Sequence, residues 1–361
     1  EIKDKSPNPD NVEFYAQRIV NDSAKRQAID ILSETSKEIQ DTDDPLGKMA
    51  EAVGRMENVR SVSVDKTVFS IQDLFKIRTD YLEKKQRGEI NEEVLSTGLK
   101  DLDELLNGGL RFRHFDVLAA RPAMGKTSLA VQIALNAGLR EGFKTLIFSI
   151  EMSKEDIMDK MTSIESKVPY RKINQGDLGQ DEWDKITQFA MNISPKGETD
   201  PQVLIDDVTK DLNRMIAVIR RCVRKHGVKF VVIDYLQLMN IPGKFNTRDE
   251  QLGQAVNTLA FTAKTLNINV LALSQLNRGV ESRENRRPHM SDLRESGNIE
   301  QAAWRVLSIY REDYYNSESD QVGVAEIAVL KGKISNTGKV QVHFDKECTR
   351  FNNLAWQHSE M

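Results

Sequence analysis

The segment Ala120-Arg121-Pro122-Ala123-Met124-Gly125-Lys126-Thr127 has the residue types and spacing to hold a polyphosphate. It matches G-x-x-x-x-G-K-[ST] with Ala120 in place of the first glycine, directly after an apolar run and ahead of a helical pattern. In that context the backbone N–H groups of the loop and of the helix start, Ser128 included, cradle phosphates at the positive end of the helix dipole. Gly125 lets the backbone come close, Lys126 reaches the β- and γ-phosphates, and the Thr127 hydroxyl binds Mg²⁺. Three further polar residues end apolar runs. Asp234 closes Lys229-Phe-Val-Val-Ile-Asp and suits the water shell of the metal; its competing role is to cap the next helix. Glu151 follows Thr145 to Ile150, on a strand expected to adjoin the phosphate loop, and could take the proton of a water attacking the γ-phosphate. Its alternative is an acid at the start of a helix near Ser153. Gln275 ends Val270 to Ser274 and could orient water or sense the γ-phosphate. Four polar groups at four strand ends point to an ATPase using ATP and Mg²⁺.

The elements that must carry these groups are legible from about residue 96 onward. Apolar runs at 115–119, 145–150, 203–206, 229–234 and 269–274 are separated by amphipathic stretches of helical length. That alternation predicts a parallel sheet covered on both faces. Runs at 305–310, 324–331 and 339–345 have shorter connections and are expected to extend the sheet as antiparallel strands. Residues 1–65 carry no convincing strand. Asn8-Pro9 and Asp44-Pro45 read as N-caps with proline at the first helical position, and the apolar spacing predicts helices near 9–22, 23–40 and 45–57. A further helix over 70–86, capped by Ser70 with Asp73, carries Ile71, Leu74, Phe75, Tyr81 and Leu82. It either packs on its own domain or docks on a neighbouring subunit. The fold class is therefore α/β, a mainly parallel twisted sheet flanked by helices, preceded by a small all-helical region and a linker helix.

Composition narrows the class. With 361 residues, a net charge of −4 and a pI near 5.9, the chain is no uniformly basic nucleic-acid coat, although a basic channel on an acidic body remains open. Its two cysteines, Cys222 and Cys348, make no disulfide framework, and no apolar run is long enough for a membrane span, so a cytoplasmic location without a membrane partner is expected. The five histidines have no metal-ligand spacing. The chain opens at Glu1 in helix-like sequence, which suggests a truncated N-terminus.

Taken together, Ser96-Thr-Gly-Leu-Lys-Asp-Leu-Asp-Glu-Leu-Leu-Asn-Gly-Gly-Leu110, the Ala120 to Thr127 loop and Ile150-Glu-Met-Ser153 resemble the core of RecA-type ATPases. Asp234-Tyr-Leu-Gln-Leu-Met239, Ser274-Gln-Leu-Asn-Arg-Gly279, Ser291-Asp-Leu-Arg-Glu-Ser-Gly297 and Tyr310-Arg-Glu-Asp-Tyr-Tyr315 narrow the resemblance to replicative DnaB-type helicases, bacterial or phage-encoded. The resemblance implies a homohexameric ring that translocates 5′ to 3′ on single-stranded DNA, hydrolyses ATP at subunit interfaces and works with a primase and a helicase loader in the primosome. It also implies a collar-type region over 1–60, a linker with a subunit-docking helix over 61–95 and the ATPase over 96–361. Tyr310 and Arg311 resemble family residues near the base and ribose. The family places a lysine and an arginine where this chain has Lys331 and Lys333, the arginine reaching across to the neighbour's nucleotide; here Lys333 keeps the charge without the planar fork.

Two loops follow helicase logic as candidate DNA contacts. One runs from Asn240 to Arg248 and holds Lys244 and Arg248; the other runs from Arg283 to Gly297 and holds Arg283, Arg286, Arg287, Arg294 and Glu295. Arginines and backbone N–H groups there suit phosphates, and the scarcity of aromatics predicts backbone tracking with strong salt dependence. Two other readings compete: a RecA-like recombination or repair ATPase that forms filaments, and a nucleotide-gated binding module that does not hydrolyse ATP.

Overall fold

A computed structural model of the chain describes residues 12–40, 42–62, 69–89, 94–193, 201–293, 296–316, 318–333 and 335–354. The chain divides into two compact units, Glu1–Glu92 and Glu93–Met361. In the first, α1 (Val12–Gln40) pairs with α2 (Pro45–Val62), and α3 (Ile71–Gln86) follows. Where two helices are expected before residue 40, one continuous helix stands. Asp22 lies inside it and pairs with Lys25 at i+3, 3.6 Å away. The Asp44–Pro45 reading matches the observed start of α2, with the Gly47 N–H donating to Asp44 Oδ1 at 3.0 Å. The Asn8-Pro9 cap lies outside the described residues. Arg55 ties α2 to α1 through Glu34 and Glu38, at 3.1 and 3.2 Å. In α3, the Ser70 side chain accepts from the Asp73 N–H, and no residue of the helix is buried. Ile71 and Phe75 are 78% and 74% exposed.

The second unit opens with a two-stranded ribbon, β1 (Val94–Leu95) with β2 (Leu110–Arg111), around α4 (Lys100–Leu105). Strands and helices then alternate. In chain order they are β3 (Phe115–Ala120), α5 (Lys126–Leu135), β4 (Thr145–Ser149), α6 (Lys154–Ser166), α7 (Tyr170–Gln175), α8 (Gln180–Ile193), β5 (Val203–Asp206), α9 (Leu212–His226), β6 (Phe230–Asp234), α10 (Arg248–Leu266) and β7 (Asn269–Gln275). After them come α11 (Ser296–Ala302), β8 (Arg305–Tyr310), α12 (Glu312–Tyr315), β9 (Val324–Gly332), β10 (Gly338–Asp345) and β11 (Arg350–Asn352). Among the described residues, nine strands make one sheet in the order β11-β10-β9-β8-β3-β7-β6-β4-β5. The six from β8 to β5 are parallel, and β9, β10 and β11 are antiparallel. Both faces of the sheet are covered, by two apolar clusters that meet across it. That is why the central strands read as unbroken apolar runs.

Two expectations need correction. The run at 305–310 is parallel to β3, not antiparallel, because the loop, turns and α11 between β7 and β8 form a full crossover. The strand before Glu151 does not adjoin the phosphate loop: β3 lies between β7 and β8, while β4 pairs with β6 and β5. Sequential order is not spatial order in a doubly wound sheet, whose strand order reverses at a switch point. No helix among the described residues is long and apolar enough to cross a membrane.

Candidate active site

The carboxyl ends of β3, β4, β6 and β7 surround a cleft of about 380 Å³. Its floor is the loop between β3 and α5. Ala123 and Gly125 take positive φ, 61° and 97°, which turns the chain tightly into α5. Met124 points the other way and is buried in the core, so it anchors the loop and does not line the cleft. A Cβ on Gly125 would lie 2.9 Å from Phe351 Cζ and 3.2 Å from Phe344 Cε2, so only glycine fits above those rings. The first N–H groups of α5 have no intrahelical acceptor and face this loop.

Asp234 sits beside this helix start. Its Oδ2 accepts the Thr127 hydroxyl at 2.6 Å, and its Oδ1 lies 3.9 Å from Lys126 Nζ without a hydrogen-bond partner in the chain. Burial pushes the Asp234 carboxyl up, against the pull of Lys126, Thr127 and Lys160. Burial also pulls the Lys126 ammonium down, opposed by Asp234 and Glu151. The helix-cap alternative for Asp234 is gone, because the turn at Leu236–Leu238 has Tyr235 as N-cap and no side-chain cap bond. The hydroxyl of Thr127 and the orphaned Oδ1 are hard oxygens at one spot, which fits Mg²⁺ completed by phosphates and water. Among the described residues no cluster of three His, Cys, Asp or Glu offers an all-protein metal site.

Glu151 lines the cleft, held by a turn in which the Ile150 N–H donates to the Asp234 carbonyl at 2.8 Å and the Ser149 hydroxyl to the Met152 carbonyl at 2.7 Å. Its helix-acid alternative is taken by another residue: Ser153 and Asp156 form the complete capping box of α6. Gln275 also lines the cleft. Two further lining residues bring a cation and an aromatic ring to the phosphate loop. Lys160, on α6, comes within 3.4 Å of Ser128 Oγ and lies 5.0 Å over the Tyr170 ring, with burial lowering its pKa. Tyr235 places its ring 4.4 Å below Lys126 Nζ. Only helix periodicity could have brought Lys160 forward, since it lies two turns beyond the Ser153 cap.

Arg121, Pro122, Ala123 and Ser128 line the cleft with Ala120, but the Arg121 guanidinium is committed elsewhere. It donates to the Leu276 carbonyl at 2.8 Å and pairs with Glu281 at 2.8 Å, which braces the loop after β7. Tyr310 is not brought to the cleft: it is buried, its hydroxyl bonds Glu312, and Arg287 lies 4.8 Å over its ring. Arg311 touches the phosphate loop from outside, donating to the Ala123 carbonyl at 3.3 Å and pairing with Asp313 at 3.2 Å. The aromatic that does line the cleft on that side is Phe344.

Lys331 and Lys333 lie at the opposite edge of the sheet. Lys331 opposes Val306 near the start of β8, whereas the phosphate loop follows the end of β3 beside Ile309. From Val306 to Ile309 the strand rises about 10 Å at ~3.3 Å per residue, beyond the reach of a lysine side chain. Lys331 donates to the Glu300 and Ala303 carbonyls, the latter at 3.0 Å. Lys333 lies 5.2 Å over Trp304, whose indole stacks on His114 at 3.9 Å.

The candidate DNA loops separate into free and engaged charges. Lys244 is exposed, and Arg248 is exposed but donates to the Gln237 carbonyl at 2.7 Å. Arg283 donates to Asp292 at 2.6 Å, and Arg287 grips Glu326 through Nε and Nη2. Arg286 lies 4.9 Å over Tyr315. Arg283 and Arg287, expected among the phosphate contacts, therefore brace the loop instead. Gly297 is exposed on α11, and Arg294 and Glu295 lie outside the described residues.

A family profile for the DnaB-like helicase C terminal domain matches residues 94–353. The chain is 31% identical to the replicative DNA helicase DnaB of Geobacillus stearothermophilus, over 100% of this chain and 79% of the relative. It is 34% identical to that of Pasteurella multocida, over 99% of this chain and 77% of the relative. A solved DnaB-like replicative helicase, described with its interactions with primase, superposes with a TM-score of 0.70 at 29% identity, covering 96% of this chain and 81% of that one.

Proposed function

The chain belongs to the DnaB-like replicative helicases, and we propose that the cleft is one half of a composite ATPase centre in a homohexameric ring that moves 5′ to 3′ along single-stranded DNA. The observation that carries this reading is the division of the catalytic set between two edges of one sheet. Lys126, Thr127, Asp234, Glu151 and Gln275 sit at one edge, and Lys331 and Lys333 at the other, too far to serve the cleft of their own chain. A neighbour must complete each site, which makes hydrolysis depend on assembly.

Within the cleft, the α5 N-terminus and Lys126 hold the β- and γ-phosphates and offset charge as the γ-phosphoryl transfers. Thr127 and Asp234 would hold Mg²⁺, which when bound would offset charge on the phosphate oxygens. Glu151 accepts the proton of the attacking water, and Gln275 contacts the γ-phosphate. Lys333 of the adjacent subunit supplies the trans charge, as an ammonium in place of a guanidinium fork. Lys244, Arg248, Arg294 and Gly297 contact DNA phosphates. Residues 1–60 form the collar-type region, 61–95 the linker that docks on the next subunit and 96–361 the motor; the exposed apolar face of α3 supports that docking. A primase and a helicase loader are the partners this arrangement calls for, the first supported by the solved relative described with primase. The filament-forming alternative is less favoured, since both family and full-chain relatives are replicative helicases.

The test is ATP-dependent unwinding of a forked duplex with a 5′ tail, with Lys126→Ala as control. Unwinding by the wild type alone is the expected result; hydrolysis of ATP without strand separation would support the filament reading instead.

A further inference from the structure

The β6–β7 ladder ends at the pair Ile233–Ala272, so β7 runs beyond its neighbour for Leu273, Ser274 and Gln275. A single side chain takes over there. Gln237, in the turn Leu236–Leu238, donates from Nε2 to Ser274 Oγ at 3.0 Å, and its Oε1 accepts the Gln275 N–H at 3.3 Å. Because a backbone N–H can only donate, the amide has one orientation that satisfies both bonds. On the other flank of Gln275, the Leu276 N–H donates to the Ala120 carbonyl at 3.2 Å, where the phosphate loop begins. Gln237 also looks the other way: its backbone carbonyl accepts from Arg248 Nη2 at 2.7 Å. Arg248 bonds the Gln251 side chain, which in turn donates to the Ile241 carbonyl at 2.9 Å. The loop that carries Lys244 is thereby closed on Gln237.

We propose that Gln237 is a positioning residue that couples nucleotide state at Gln275 to the DNA-facing loop from Asn240 to Arg248. The proposal rests on the functional reading above for the roles of Gln275 and Arg248. The chain of contacts is short and direct: cleft, Gln275, Gln237, Arg248, loop. A displacement of the β7 end when Gln275 meets a γ-phosphate reaches the loop through one amide and one turn. Two sites joined by such a link must show reciprocal linkage, nucleotide altering DNA affinity by the same factor as DNA alters nucleotide affinity.

The experiment measures the affinity of the protein for a fluorescent thymidine oligonucleotide with and without a non-hydrolysable ATP analogue and Mg²⁺. Wild type is compared with Gln237→Met, which keeps the length and loses the amide, and with Gln237→Glu, whose carboxylate accepts from both the Ser274 hydroxyl and the Gln275 N–H. The expected result is a nucleotide effect of about tenfold in the wild type, close to one in Gln237→Met and restored in Gln237→Glu. A purely structural role would lower stability without changing this ratio. Full coupling in Gln237→Met overturns the proposal for Gln237 alone. A wild type that hydrolyses ATP but binds DNA identically in both states overturns the functional reading beneath it. Should Gln237→Met fail to fold, hydrogen exchange on the wild type decides: the analogue alone must alter exchange across residues 238–251, and no change there refutes the link.

Discussion

Replacing Gly125 with alanine tests whether the phosphate loop is held by backbone geometry, by space, or by both. Gly125 has φ 97°, outside the left-handed well that an L-residue can occupy, and forcing a side chain there costs about 1–2 kcal/mol. The new Cβ would also sit 2.9 Å from Phe351 Cζ and 3.2 Å from Phe344 Cε2. Neither ring can retreat freely: Phe351 is buried, packs on Phe344 at 4.7 Å between centroids, and is pinned by its N–H to Gln132 Oε1 at 2.8 Å. Overpacking of this kind costs about 1–3 kcal/mol, offset by about 0.4–1 kcal/mol from a less flexible unfolded chain. The net loss is about 1–5 kcal/mol. Since the loop can deform locally, that loss divides between lower stability in urea and weaker binding of a fluorescent ATP analogue with Mg²⁺. The double variant Gly125→Ala/Phe351→Leu separates the terms in a double-mutant cycle. Relief of the clash recovers about half of the loss, and the φ penalty stays. Full recovery in the double variant would refute the φ argument, and a Gly125→Ala protein with wild-type stability and affinity would refute both.

Four other substitutions have defined outcomes. Lys333→Ala lowers ATP turnover of the assembled protein by about a thousandfold, and Lys333→Arg restores or exceeds it; unchanged turnover in Lys333→Ala dismisses the trans role. Arg287→Ala, which breaks a bidentate bond to Glu326, costs about 1.5–3 kcal/mol of stability and leaves the salt dependence of DNA binding as it was. Lys244→Ala does the reverse, lowering the salt slope by about one; a common effect of both substitutions on the slope would contradict the division between braces and contacts. Burial raises the Asp116 carboxyl from 3.8 to about 6 despite Arg305 beside it. Its protonated form is the one the fold prefers, so its stabilising contribution is complete below pH 3.8 and lost as pH rises through about 6. Urea unfolding of wild type and Asp116→Asn across that range must diverge as pH rises, and parallel profiles would exclude the assignment.

The cleft was legible in the sequence because its chemistry is local. Ala120 to Thr127 lies in one strand–loop–helix unit, and Asp234 and Gln275 each end an apolar run, so periodicity alone places them at strand ends. The alternatives for Asp234 and Glu151 could not be settled there, because each turned on a neighbour's behaviour: whether Ser153 and Asp156 capped α6, and whether Thr127 took the aspartate. Strand neighbours were less legible. The reading that put β4 beside β3 used chain order, whereas the sheet inserts β7 and β6 between them. The direction of β8 was misjudged because its crossover consists of short turns and a seven-residue helix, which leave little periodic signal. Tyr310 suffered from the same limit: a strand-end aromatic reads alike whether it faces a ligand or lies under Arg287.

The arginines show where sequence reading stops for a physical reason. Arg283, Arg286 and Arg287 fall in one short loop, and a cluster of positive charge in a loop reads as a surface for phosphates. Whether it is one depends on carboxylates that the sequence sets at unrelated distances. Asp292 lies nine residues from Arg283, while Glu326 lies 39 residues from Arg287, on β9. Glu326 is buried, and Arg287 with Lys339 holds its carboxyl below the usual carboxylate range against the desolvation that would raise it. A buried carboxylate needs its cation more than a solvated phosphate does, since an uncompensated buried charge costs several kcal/mol. Arg287 is therefore the residue least able to leave for DNA, although its type and position made it look like a contact. Lys244, exposed on a solvated loop, gives up little to bind a phosphate. Local charge density nominates candidates in such a loop, and the distant acids decide which of them are available.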